Sequence, residues 1–162
     1  MRMRVPPWWL AMAWLAAVLP GCGGDPPRLD ADRRPGDFAL RLTVIAAGDD
    51  GGHGDAAATE PGQYIVTPDR WLRAAVGEGA TASVYPGRTA RLSPAAMDRL
   101  WRLAAAAARS PRPAPSSNAM RVSGRLTGEG GARRFEGTLD QPAVRALVAE
   151  LVRMRGGAME LK

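Results

Sequence analysis

The side chains with the widest chemical reach in this 162-residue chain are one cysteine, one histidine and a small group of aspartates. Cys22 is the only thiol and His53 the only imidazole, so a Ser-His-Asp or Cys-His centre would have to be built on His53. That residue stands in the run Gly48-Asp-Asp-Gly-Gly-His-Gly-Asp55, where nothing fixes the orientation of its ring. The sequence has no Gly-x-Ser-x-Gly elbow, no His-Glu-x-x-His pair and no phosphate-loop pattern. The expectation is therefore a protein that is not an enzyme. The same run holds the best metal candidate, because Asp49, Asp50 and Asp55 offer hard oxygen ligands for Ca²⁺ and the glycines permit sharp turns. A solvated loop between strands is the plainer reading of it. A Zn²⁺ site is disfavoured further by one His and no usable Cys, and no cofactor is expected.

Arginine supplies the remaining chemistry. Lys and Arg number 22 against 16 Asp and Glu, a formal charge of +6, and only Lys162 among the basic residues is a lysine. Such a bias, beside many Ala, Gly and Pro, makes overall basicity poor grounds for nucleic-acid binding, and no nucleic-acid partner is expected. Arg121 and Arg125 nevertheless alternate with apolar residues along one segment, and Arg134 on the following segment should point the same way. Together they form a candidate binding face for an anionic surface or an acidic protein patch. A solvated outer side of a half-buried sheet would look the same.

These residues need a scaffold, and its elements are legible. Phe38, Leu40, Leu42 and Val44 recur at period two and predict a strand. Gln63 to Thr67 reads as a second strand, and Pro68-Asp69-Arg70 as a turn into a third at Trp71 to Val76. Gly77 to Arg91 is ambiguous, with Thr81 to Tyr85 a possible short strand. Ser93 and Pro94 open a helix with Met97, Leu100, Trp101 and Ala104 on its apolar face, running to Arg109. The Ala104 to Ala108 run within it reads as helix propensity with little to grip. A Pro-rich connector follows, then a hairpin in which Met120, Val122 and Leu126 face in, with Phe135 and Leu139 on the return. Asp140 is the expected cap of a second helix, striped by Val144, Leu147, Val148, Leu151 and Val152 and stopped near Gly156.

An offset of 47 superposes Leu92 on Leu139, Met97 on Val144 and Ala104 on Leu151. The expected fold is α+β: an antiparallel sheet of about five strands with two helices packed on one face, and a possible ββα-ββα pseudo-repeat. Residues 38–155 make this single domain, and 156–162 a tail.

Upstream, Met1-Arg-Met-Arg4 is a basic start to an apolar stretch, Val5 to Leu19, too short to span a hydrocarbon core that needs about 20 residues. It reads as a signal peptide over 1–21. The following Leu19-Pro20-Gly21-Cys22 resembles the lipobox of bacterial lipoproteins, with Pro20 where Ser or Ala is usual. The resemblance implies cleavage between Gly21 and Cys22, a diacylglycerol thioether and an N-acyl chain on Cys22, and a cell-envelope membrane as partner. Gly23 and Gly24, in place of Asp, imply the outer membrane rather than the inner. The alternative for Cys22 is an odd thiol that pairs between molecules. Loss of Arg2 and Arg4 with the leader lowers the formal charge from +6 to +4. Residues 22–37 then read as a disordered tether rich in Pro and charge, in which Arg28, Arg33 and Arg34 could meet anionic head groups.

The order of strands then helix, twice over from Phe38 to Arg155, resembles the emfourin family of bacterial inhibitors of thermolysin-like metalloproteases. Its members carry a Ser-Gly-Gly-Phe-like turn after the first strand. Here the corresponding loop is Ala47 to Asp55, so no inhibitory residue transfers. The expected function is a lipid-anchored envelope protein with a non-catalytic binding or structural domain. Protease inhibition is the alternative, followed by a small envelope enzyme or a Ca²⁺-binding protein.

Overall fold

The computed structural model describes residues 30–46, 60–77, 79–82, 85–112, 119–128 and 131–157. Six strands form one antiparallel sheet: β1 (Ala39–Ile45), β2 (Gly62–Val66), β3 (Trp71–Val76), β4 (Arg88–Arg91), β5 (Arg121–Gly128) and β6 (Gly131–Thr138). Helix α1 (Pro94–Arg109) follows β4, and α2 (Pro142–Gly157) follows β6. The strand order is β4-β3-β2-β1-β5-β6, so each helix leaves from an edge strand. An α+β sheet with two helices is the expected class. The sixth strand is β4, short and polar enough to hide in the ambiguous stretch. Of the possible strand at Thr81 to Tyr85, Thr81 and Ala82 belong to a 3-10 turn over Ala80–Ala82, after glycines at φ 95° (Gly77) and 77° (Gly79) that break the extended course of the chain; residues 83 and 84 lie outside the described residues.

Period-two alternation fixes which face is buried. Leu40, Leu42 and Val44 on β1, Tyr64 and Val66 on β2, Leu72 on β3, Val122 and Leu126 on β5 and Phe135 on β6 join one core with Met97, Leu100, Trp101 and Ala104 of α1 and Val144, Leu147, Val148 and Leu151 of α2. The helices therefore share one side of the sheet and pack on each other. In the alanine run, Ala104, Ala105, Ala107 and Ala108 are buried, so its small side chains let α1 approach its neighbours closely. They serve packing as well as helix propensity.

Both helices have 16 residues and start on a proline. The Ser93 hydroxyl accepts from the Ala96 amide at 3.1 Å, as an N-cap does. The second helix corrects the expected cap. Gln141, not Asp140, precedes Pro142, and its carbonyl accepts the first helical bond, from the Arg145 amide at 2.9 Å. Its side-chain oxygen accepts from the Thr138 amide at 3.0 Å, which ties the helix start to the end of β6. The helix starts are thus 48 residues apart while their apolar faces align at 47.

The chain before β1 is partly seated, although 22–37 was expected to be tether. The Trp101 indole donates to the Asp30 carbonyl at 2.8 Å, and Arg34 pairs with Asp98 of α1 at 2.6 Å. Pro35 is buried beside Gly128. Arg34 is thus engaged by the domain's own carboxylate. Among the described residues no helix is long and apolar enough to cross a membrane.

Candidate binding surface

The face of the sheet away from the helices is written by the same registers. On β1 it carries Ala39, Arg41, Thr43 and Ile45; on β5, Arg121, Ser123, Arg125 and Thr127; on β6, Ala132, Arg134 and Glu136. Arg41 lies directly opposite Arg125, and Arg125 directly opposite Arg134. Three arginines therefore stand in one transverse row across adjacent strands. The three expected face residues, Arg121, Arg125 and Arg134, are all exposed and share this side. Sequence reasoning missed Arg41, whose signal was its place in the alternation of β1. The row continues through Ile65 on β2 and Arg73 on β3 to Arg88 on β4.

Part of the face is covered. Arg73 donates to the Pro86 carbonyl at 3.2 Å and its guanidinium lies 4.2 Å over the Tyr85 ring, so the segment leading to β4 crosses this side. Gln63 and Ile65 are buried, and Ile65 stands outside the main core. At the β4 edge Trp71 is flanked by Arg88 at 5.0 Å and Arg91 at 6.0 Å. A bulge between Leu72 and Arg73 makes this possible, because it brings Arg88 opposite Arg73 while Thr89 turns its hydroxyl to the Ala74 amide at 3.0 Å. Two carboxylates among the described residues lie near this face. Glu136 is paired with Arg112, and the Thr67 hydroxyl, with Arg88 and Arg73 beyond it, holds the Asp69 carboxyl below its ordinary pKa.

Among the described residues, the less covered part of the face is the three-strand platform of β1, β5 and β6. At its β6 margin lies a cleft of about 330 Å³ lined by Arg112, Arg133, Arg134, Phe135 and Glu136 with the end of α1. The platform can hold anions through several guanidinium forks at once. Among the described residues no group of His, Cys, Asp and Glu is arranged to hold a metal ion. The other expected site residues, Gly21 and Cys22 at the lipobox and Asp49, Asp50 and Asp55 in the glycine-rich loop, lie outside the described residues, as does His53.

No protein-family model matches the chain, and no curated protein matches it significantly.

Proposed function

We propose that this chain is a lipid-anchored protein of a bacterial envelope whose domain is a non-catalytic binding module, presenting the open face of its sheet to an anionic partner. The observation that carries the binding role is that the exposed Arg125 and Arg134 stand directly opposite each other on β5 and β6. Like charges opposite one another on neighbouring strands destabilise a sheet. Solvent-facing positions accept many polar side chains, so the opposed pair Arg125 and Arg134 keeps a cost that an anion would remove. The anchor is supported by the basic start, the apolar stretch and the Leu19-Pro20-Gly21-Cys22 sequence. Two or more acyl chains on Cys22 would give stable membrane attachment. Gly23 and Gly24 favour the outer membrane. A non-enzymatic role agrees with a sequence that offers one histidine and no nucleophile motif.

The inhibitor reading has one observation in its favour, the recurrence of two strands and a helix in β3-β4-α1 and β5-β6-α2. Stoichiometric loss of thermolysin activity on mixing would establish it.

The test of the main reading has two parts. Intact mass and membrane partition, measured on the protein and on Cys22→Ser from the native host, should show an acylated, membrane-bound product and an unmodified, released variant. An unmodified soluble product from the unaltered gene would overturn the anchor. Replacing Arg121, Arg125 and Arg134 together by Gln should leave the melting temperature nearly unchanged and abolish capture of an anionic envelope component. Unchanged capture would overturn the binding face.

A further inference from the structure

We infer that β6 is a self-pairing edge: two copies of this chain join antiparallel through it, with Arg134 of each opposite Glu136 of the other. The inference goes beyond the anion-binding reading above and does not rest on it. The two edges of the sheet are built differently. Strand β4 has four residues and a bulge against β3, two features that blunt an edge. Strand β6 has eight residues, pairs with β5 in unbroken register from Gly131 to Thr138, and contains neither proline nor lysine.

The last residue of β6 shows which backbone groups this edge offers. The Thr138 amide donates to the Gln141 side-chain oxygen at 3.0 Å, and the Thr138 carbonyl accepts from the Gln141 amide at 3.1 Å. Both backbone groups of Thr138 therefore point away from β5. In an antiparallel pair this direction alternates along the strand, so the N–H and C=O of Glu136, Arg134 and Ala132 also point outward. A cleft of about 330 Å³ opens beside these positions, between β6 and the end of α1. Arg112 reaches Glu136 there, and its side chain is 80% exposed, so it can turn aside.

One register suits a second copy. A twofold axis through Phe135 and perpendicular to the sheet places inward residues opposite inward ones and sets Arg134 opposite Glu136 on both sides of the axis. Each such pair exchanges both backbone hydrogen bonds. Sliding the copies by two residues opposes Arg134 to Arg134 in one direction and Glu136 to Glu136 in the other; sliding by one sets inward residues against outward ones. Glu136 then meets two guanidinium groups, its own Arg112 and Arg134 of the second copy, as Glu150 meets Arg99 and Arg153 inside the domain. The added carboxylate also offsets the repulsion between Arg134 and Arg125. The axis keeps both helix layers, with the segments seated at Trp101, on one side of the joined sheet, and Arg121 and Arg125 of both copies on the other. A strand edge is a small interface beside that of a stable dimer, so the association is weak and depends on concentration.

The experiment is sedimentation equilibrium of the full-length protein, purified in density-matched detergent, over a wide range of concentration. A reversible monomer–dimer equilibrium is expected. Arg134→Glu should weaken it at least tenfold, because like charges then face each other across the axis. The double variant Arg134→Glu with Glu136→Arg restores opposite charges and should return to within about threefold of the parent. The control Arg102→Glu, an equal charge change on the exposed side of α1, should alter it less than twofold. Melting curves confirm that each variant is folded. A monomer at every concentration, a dimer indifferent to Arg134→Glu, or a double variant as weak as Arg134→Glu alone would overturn the inference. Capture of an anionic envelope component is measured separately and can fail without touching this result.

Discussion

At the scale of single residues, Gly124 shows how the sheet tolerates a gap in its apolar pattern. Between Val122 and Leu126 the inward position has no side chain, and the ring of Phe135, directly across on β6, folds into the space. A Cβ at Gly124 would lie 2.2 Å from that ring. Gly124→Ala must displace the ring, and a loss of about 1–3 kcal/mol in denaturant unfolding is expected. A stability within experimental error of the parent would show that the ring does not depend on the gap. Glu150 is the residue at which pH should act on stability. It is a buried carboxylate on α2, bound by Arg153 at 2.6 Å and by Arg99 of α1 at 3.2 Å. The hydrogen bond from Arg153, more than the charge of Arg153 and Arg99, holds its pKa below the ordinary value. A lowered native pKa means a contribution fully present above about pH 4.3, the unfolded value, and lost as pH falls through the native one. The melting temperature should therefore drop more steeply on acidification in the parent than in Glu150→Gln, which at neutral pH should cost about 1–3 kcal/mol. Parallel curves for the two proteins would contradict this assignment.

At the scale of elements, alternation and helical spacing carried the reading furthest. The strand starting at Ala39, the hairpin of β5 and β6 and the inner face of α1 follow from which positions are apolar, because a one-residue slip would expose the whole set. Four features were not legible, each for a physical reason. Strand β4 has four residues, two of them arginines, and pairs through a bulge, so it carries no periodic signal. Gln141 took the cap position ahead of Asp140 because its side chain bridges from the Thr138 amide to the Pro111 carbonyl, a tertiary contact that cap preferences do not contain. The arginine face was legible at Arg121, Arg125 and Arg134. Its member Arg41 required knowledge that β1 lies beside β5, which only the strand order supplies. The seated segment before β1 was equally hidden, since its hold on the domain is one indole hydrogen bond and one ion pair at long separation. Trp101→Phe keeps most of the ring packing against Phe38, 5.4 Å away, and removes the donor to Asp30. A loss of about 1 kcal/mol is expected, together with faster amide exchange over 30–34 than over β1. Unchanged exchange over 30–34 would show that the indole does not hold the segment.

At the scale of the whole molecule, the strand order has an approximate twofold pattern centred between β2 and β1. Edge strand β4 leads into α1 and edge strand β6 into α2; α1 reaches the far edge at β5 and β6, and α2 touches both edge strands, β4 and β6. Both helices are thereby spent on one face, which closes the core, while the other side of the sheet carries the arginines and is covered only in part, over β2 and β3. That division gives the proposed role its geometry, with the seated segment around Asp30 and Arg34 and the helices on one side and the arginines on the other. The central claim is that the arginine face meets the partner in the envelope. It is tested most directly by site-specific photocrosslinking in the native host, with a photoreactive residue at Ser123 among the arginines or at Ala146 on the exposed side of α2. A high-mass adduct from position 123 and none from position 146 is expected; adducts from 146 alone, or none from 123, would contradict the claim.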